Sequence, residues 1–210
     1  MVVVLTCAAW LSLAAAQESP SPFPPITTVG DFWNIPEAEK HQPHPVSMEL
    51  HVHFYDAAWN LLWGQTGADV SYLTVGGKAL PLKAGQKVRL EGTVIPSRGF
   101  DGELLKVTIL GEAPLPEPVK VAGRMGELAK FNARRIEIEG YVLRQTEPDS
   151  THIEAKLFTE GRVIGLSMQI SPTEPLPHFV GTRVRVRGIC DTVPDPAGVA
   201  QNVECWVLEG

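Results

Sequence analysis

Four histidines, His41, His44, His51 and His53, fall within 13 residues, the densest grouping of metal-ligating side chains in the chain. In an extended strand over Val46 to Tyr55, alternation puts His51 and His53 on one face and Met48, Leu50, Val52 and Phe54 on the other. Two imidazoles so placed can bind one Zn²⁺ or Cu²⁺, with Glu49 or His44 completing the set. Spacing fixes no third ligand, and histidines on the solvated face of an edge strand give the same pattern. Nearby, Tyr55, Trp59, Trp63 and Tyr72 offer rings on which a neutral or cationic small ligand can stack, and the same rings also serve as core. Arg183, Arg185 and Arg187 line one strand face, where they can engage an anion or pair with acids on a neighbouring strand. No Gly-x-Ser-x-Gly elbow, His-Glu-x-x-His, phosphate-binding glycine loop or Cys-x-x-Cys is present. The reading is therefore non-catalytic, with no cofactor.

Short β elements must position these side chains. Gly85 to Gly92 and Gly181 to Gly188 match at both glycines and at the Val-Arg pair, 96 residues apart, while Met48 to Val52 and Ile138 to Val142 match 90 apart. The chain then repeats one small domain, residues 17–118 and 119–210, around the stiff connector Ala113 to Pro118. Each copy has a short helical lead-in, Thr28 to Trp33 and Ala122 to Lys130. In the first, strands are expected at Val46 to Tyr55, Leu61 to Gln65, Val70 to Val75, Lys87 to Ile95 and Leu104 to Leu110. In the second they are expected at Arg135 to Arg144, Thr151 to Phe158, Val163 to Met168, Arg183 to Cys190 and Asn202 to Leu208. Five strands per copy indicate an all-β protein of two tandem OB-like barrels; an immunoglobulin-type sandwich needs seven. Gly92, Gly140 and Gly188 mark places where a strand coils or a neighbour's backbone comes close.

Alternation points Cys190, with Val184 and Val186, and Cys205, with Val203 and Val207, into the interior of neighbouring strands. A cross-strand disulfide is feasible, and two buried thiols are the alternative. Residues 1–16 read as a signal peptide cleaved after Ala16, although no Lys or Arg precedes the apolar stretch; an unusual anchor or a buried strand are the other readings. Cys7 lies inside this leader and fits a lipobox only loosely. With 18 Lys+Arg against 24 Asp+Glu and a net charge of −6, the chain is acidic. Residues 18–118 carry 7 cations and 12 acids, and residues 119–210 carry 11 and 12, so neither copy is basic and nucleic acid is not an expected partner.

Pro45 to Asp56, Leu61 to Gln65, Gly85 to Gly92, the connector Pro114 to Pro118 and Arg183 to Cys190 occur in an order that resembles the extracytoplasmic N-terminal region of bacterial membrane-bound sensor histidine kinases. That region opens with a leader and a Leu/Ile-Thr-Thr segment, here Ile26-Thr27-Thr28, and its second copy carries Val-Arg-Val-Arg-Gly-Val-Cys. Leu50 departs from the family's usual Gly, and Thr66 to Asp69 departs from its Asp-x-x-Gly-Gly. The resemblance implies a non-catalytic sensing region of a two-component system on the periplasmic side of the inner membrane. It would bind a small molecule or a periplasmic protein, and a C-terminal region not in this chain would attach it to the membrane. The alternative is a stand-alone exported OB-fold binding protein, metal-binding through His51 and His53.

Overall fold

The structure is a computed structural model that describes residues 21–173, 175–196 and 199–209. The expected leader at 1–16 lies outside the described residues. Strands β1 (His44–Asp56), β2 (Leu61–Thr66), β3 (Asp69–Gly76), β4 (Gln86–Val94), β5 (Phe100–Asp101) and β6 (Leu105–Glu112) form one sheet in the order β5-β3-β2-β1-β4-β6. Strands β7 (Val119–Lys120), β8 (Arg135–Asp149), β9 (His152–Thr159), β10 (Arg162–Gln169), β11 (Arg183–Pro194) and β12 (Ala200–Glu209) form a second, in the order β11-β12-β10-β9-β8-β7. A further β11–β8 pairing closes β8-β9-β10-β12-β11 into a five-stranded barrel.

In that barrel β12 runs parallel to β10 and antiparallel to β11. In the first copy β5 runs parallel to β3, and β6 runs antiparallel to β4. Consecutive β5 and β6 thus share the place that β12 fills alone. The protein is two tandem OB-like barrels, as the alternation and turn spacing predict.

The lead-ins differ in kind. Helix α1 (Val29–Trp33) is opened by a capping box in which Thr28 Oγ1 accepts from the Asp31 N–H and Asp31 Oδ2 accepts from the Thr28 N–H. The second lead-in is a 3₁₀ helix, Met125–Phe131, whose buried residues Met125, Leu128 and Phe131 recur every third position. Three residues per turn is the period that puts such positions on one side. Each barrel has its own core, built around Met48, Leu50, Leu73 and Leu90 in the first and Leu128, Ile136, Leu157 and Ile164 in the second.

Leu50 and Gly64 in the first barrel exchange sizes with their counterparts Gly140 and Leu157 in the second. A Cβ on Gly64 would sit 2.6 Å from the Leu50 side chain. A Cβ on Gly140 would sit 2.9 Å from Leu157 Cγ and 2.4 Å from the Phe158 carbonyl oxygen. Val52 pairs with Gly64 as Val142 pairs with Leu157, so the two pairs occupy equivalent registers. One large side chain fills the space in each copy and comes from opposite strands. Gly64→Ala should therefore cost about 1–3 kcal/mol by overpacking. Urea unfolding of Gly64→Ala, Leu50→Ala and the double variant should show a favourable coupling between the two sites, whereas strict additivity would mean that Leu50 does not set the glycine requirement.

Candidate functional site

The junction between the barrels gathers side chains that the sequence places far apart. His152, at the start of β9, is 1% exposed, and its Nε2 lies 2.6 Å from Asp56 Oδ2, at the end of β1. Its Nδ1 lies 2.7 Å from Asp149 Oδ1. Each ring nitrogen of His152 thus meets a carboxyl group, and the two carboxyls belong to different barrels. The Trp59 ring stacks on it at 4.1 Å and an interplanar angle of 18°, and Trp59 Nε1 donates to Asp149 Oδ2 over 2.9 Å. Hydrogen bonds from the Thr151 N–H, His152 and Trp59 hold the Asp149 carboxyl well below the usual carboxylate range. Phe54, Trp63, Ala133 and Ile189 form an apolar cluster at this junction, with Leu61, Val70, Trp206 and Leu208 packed against it.

A bulge in β1 creates this arrangement. The β1–β2 register passes from Val52↔Gly64 to Phe54↔Trp63, so His53 is the extra residue. Beyond it the alternation changes phase. Tyr55 packs against the first core, while Phe54 joins the junction cluster. The expected common face of Met48, Leu50, Val52 and Phe54 therefore ends at Val52, and simple alternation no longer relates His51 to His53.

The predicted site residues do not converge on one ligand. Tyr55 is half-buried and accepts from the Leu80 N–H at 2.9 Å. Trp59 lies over His152, and Trp63 is 2% exposed. Only Tyr72 presents a large open surface, 40% exposed, and its ring packs 5.0 Å from Trp33 and 5.6 Å from Trp63. Tyr55, Trp59 and Trp63 are taken up in core and junction packing, and Tyr72 stays open beside Trp33. The His51 and His53 rings are 5.0 Å apart and T-shaped, and among the described residues no group of three or more His, Cys, Asp or Glu is arranged to hold a metal. His51 Nε2 instead lies 3.3 Å from the connector carbonyl of Ala113. His53 is buried, and desolvation pushes its imidazole down to about 4, with His51 and Arg135 acting in the same direction. Cys190 and Cys205 are free thiols in directly opposed positions.

An open aromatic surface lies on the second barrel. Tyr141 on β8 pairs directly with Phe158 on β9, which pairs directly with Val163 on β10. All three face solvent, at 53%, 42% and 55% exposure. Beside Tyr141 lies Arg183, its partner in the β8–β11 register. Arg183 Nη2 and Arg185 Nε donate to the two oxygens of one carboxylate, Glu139, at 2.8 and 2.6 Å. Arg187 donates to Glu137 at 2.8 Å. The arginines are thus paired along the strand, as one reading of the sequence allowed, yet two guanidinium groups share a single acid and stay 65% and 61% exposed. A groove of about 600 Å³ runs between these rings and guanidinium groups over the bare backbone of Gly140. Glu160, at its rim, accepts from the Gly123 N–H.

The first barrel carries the same frame with different side chains. Its groove, of about 340 Å³, is lined by Glu49, His51, Gln65 and Lys87. Arg89 is bonded to Glu49 there as Arg185 is to Glu139, and His51 pairs with Gln65 and Lys87 as Tyr141 pairs with Phe158 and Arg183. His51 and Gln65 thus stand where the second barrel has Tyr141 and Phe158. The alternation that turns Glu137, Glu139 and Tyr141 outward from β8 was the available signal for this surface.

No protein-family model matches the chain, and no curated protein matches it. Similar solved structures include a murine DNA-binding protein bound to double-stranded DNA, at 12% identity and TM-score 0.31, with 80% of this chain and 96% of that chain covered. They also include the Ifi202 HINa domain in complex with 20-base-pair double-stranded DNA, at 11% identity and TM-score 0.32, covering 78% and 91%. The tetrameric p202 HIN2 domain matches at 11% identity and TM-score 0.29, covering 80% and 91%. Sensor histidine kinase regions have no counterpart among these structures, and the expected assignment to a two-component sensing region is corrected accordingly. The expected exclusion of nucleic acid is corrected as well, since two of these structures are DNA complexes. At such identities and superpositions the likeness transfers no ligand to this chain.

Two outcomes follow from the junction. His152→Ala leaves the buried Asp56 carboxyl without its His152 partner and should lower the unfolding free energy by about 1–3 kcal/mol, measured by urea denaturation. An unchanged midpoint would mean that the clamp contributes nothing. His53 is neutral in the fold, whereas its unfolded imidazole takes up a proton near 6.5. The unfolded state therefore binds the extra proton between about pH 6.5 and 4, and stability falls as pH drops through that window. The loss is at most about 3 kcal/mol. His53→Gln should flatten this part of the stability profile, while the Asp149 contribution is lost only below it.

Proposed function

We propose that this chain is an exported, non-catalytic OB-like binding protein that takes a small ring-bearing anion in the groove of its second barrel. One observation carries the reading. The Tyr141–Phe158 pair lies open beside two guanidinium groups that share one carboxylate. A flat ring can lie on Tyr141 and Phe158, each stacking contact being worth about 1–3 kcal/mol, while the anionic group takes hydrogen bonds from Arg183 and Arg185. A groove of about 600 Å³ suits a small molecule. The first barrel, with His51 and Gln65 at the equivalent positions, lacks the rings and serves as the rigid partner across the junction. Export rests on the apolar leader and its small-residue cleavage site.

Both a nucleotide and a sugar acid present this chemistry, and calorimetric titration with adenosine monophosphate and with glucuronate separates them. One of the two should bind saturably and more weakly as salt rises. The double variant Tyr141→His, Phe158→Gln installs residues that the first barrel already tolerates at these positions. It should weaken binding roughly tenfold or more without changing the thermal midpoint. Failure of both compounds to bind, or undiminished binding by the double variant, would show that the groove is not the seat.

A further inference from the structure

We propose that Cys190 and Cys205 are a disulfide site, closed across β11 and β12 as the second barrel folds under oxidising conditions. The two residues are directly opposed in an antiparallel pair. The type of pair follows from the hydrogen bonds on the other side of β11. The Cys190 N–H donates to the Arg134 carbonyl, and the Cys190 carbonyl accepts from the Ala133 N–H. Both backbone groups of Cys190 therefore point away from β12. This makes Cys190↔Cys205 one of the non-hydrogen-bonded pairs, in which Cα atoms lie about 4.5 Å apart and side chains approach more closely. That separation falls within the roughly 4.4–6.8 Å over which disulfides form.

The surroundings agree with the register. Both cysteines are 0% exposed and belong to the same core cluster. Cys205 Sγ lies 2.8 Å from where a Gly188 Cβ would be, so the glycine leaves the sulfur its room. The register shifts of this strand pair fall at Arg187/Gly188 and Val193/Pro194, on either side of the cysteines.

The folded barrel also sets when the bond can form. Burial pushes the Cys190 thiol up to about 12 and raises Cys205 as well, so little of the reactive thiolate exists once the core has closed. Oxidation thus belongs to the folding chain. One thiolate attacks a disulfide oxidant such as oxidised glutathione and expels one glutathione thiolate. The second cysteine thiolate then attacks the mixed disulfide and expels the other. Two cysteine thiols lose two protons and two electrons, and the oxidant is reduced to two thiols. An oxidising compartment, as the export proposed above provides, is where this occurs in the cell.

Refolding the full chain in vitro tests the site without reference to export or ligand. The reduced, denatured protein is refolded with oxidised and reduced glutathione, alkylated in denaturant and digested with trypsin. Residues 188–210 contain no Lys or Arg, so both cysteines lie on one peptide beginning after Arg187. That peptide, taken from the fraction with the circular dichroism of the folded protein, should be lighter than its reduced form by two hydrogen atoms and carry no alkyl group. Two alkyl groups on it, or a linkage from Cys7 to either cysteine, would overturn the assignment. Either result leaves the ligand reading standing, because the groove residues lie outside this pair.

Discussion

The buried His152 ring bridges Asp56 and Asp149, which belong to different barrels, and this contact sets how the barrels meet. Taking the His152 ring and the Asp56 carboxyl out of water is expensive, and it is tolerated only where the remaining hydrogen-bonding capacity is met. Here it is met locally. Asp56 Oδ1 accepts from the Ala58 and Trp59 N–H groups, and Asp149 accepts from the Thr151 N–H and hydroxyl and from Trp59 Nε1. The Trp59 ring covers the His152 ring, and Trp206 meets the Trp59 ring edge to face at 5.8 Å. The network ties one barrel to the other through directional contacts, beside the apolar cluster.

That contact depends in turn on a single inserted residue. Without the bulge at His53, Phe54 would remain on the core face that Val52 ends, and the junction would lose its aromatic anchor from β1. The bulge thus turns one strand into both core and docking surface. Its cost is visible in His53 itself, whose Nε2 is buried without a hydrogen-bond partner among the described residues. A strand with an uninterrupted period of two could not serve both purposes.

The strands were legible in the sequence because period-two alternation and turn residues are local signals, and the repeat was legible because Gly85, Gly92, Gly181 and Gly188 are backbone requirements. Gly92 has φ +151°, and a Cβ there would meet the Leu104 carbonyl oxygen at 2.1 Å; a Cβ on Gly188 would meet that of Trp206 at 2.2 Å. The junction was not legible. Asp56 and His152 are 96 residues apart, and neither sits in a motif. A bulge leaves the composition of β1 unchanged while reversing which residues face inward. The density of aromatics in the first copy pointed to a ligand there, yet density reports burial as readily as binding. The informative feature was phase, with Tyr141 and Phe158 falling on the outward side of strands whose inward sides are Ile136, Ile138, Val142, Ala155 and Leu157.

The two copies show why one groove carries rings and the other does not. In the first barrel the connector passes the groove, and His51 Nε2 lies within hydrogen-bond distance of the Ala113 carbonyl. The imidazole thus supplies a donor to a carbonyl that is only partly open to water. A phenylalanine at His51 would remove that donor. Among the described residues no chain segment is bonded in this way at Tyr141, so the second barrel has room for apolar rings beside its arginines. The connector that joins the copies thereby meets the first groove at His51, the position that Tyr141 holds in the second.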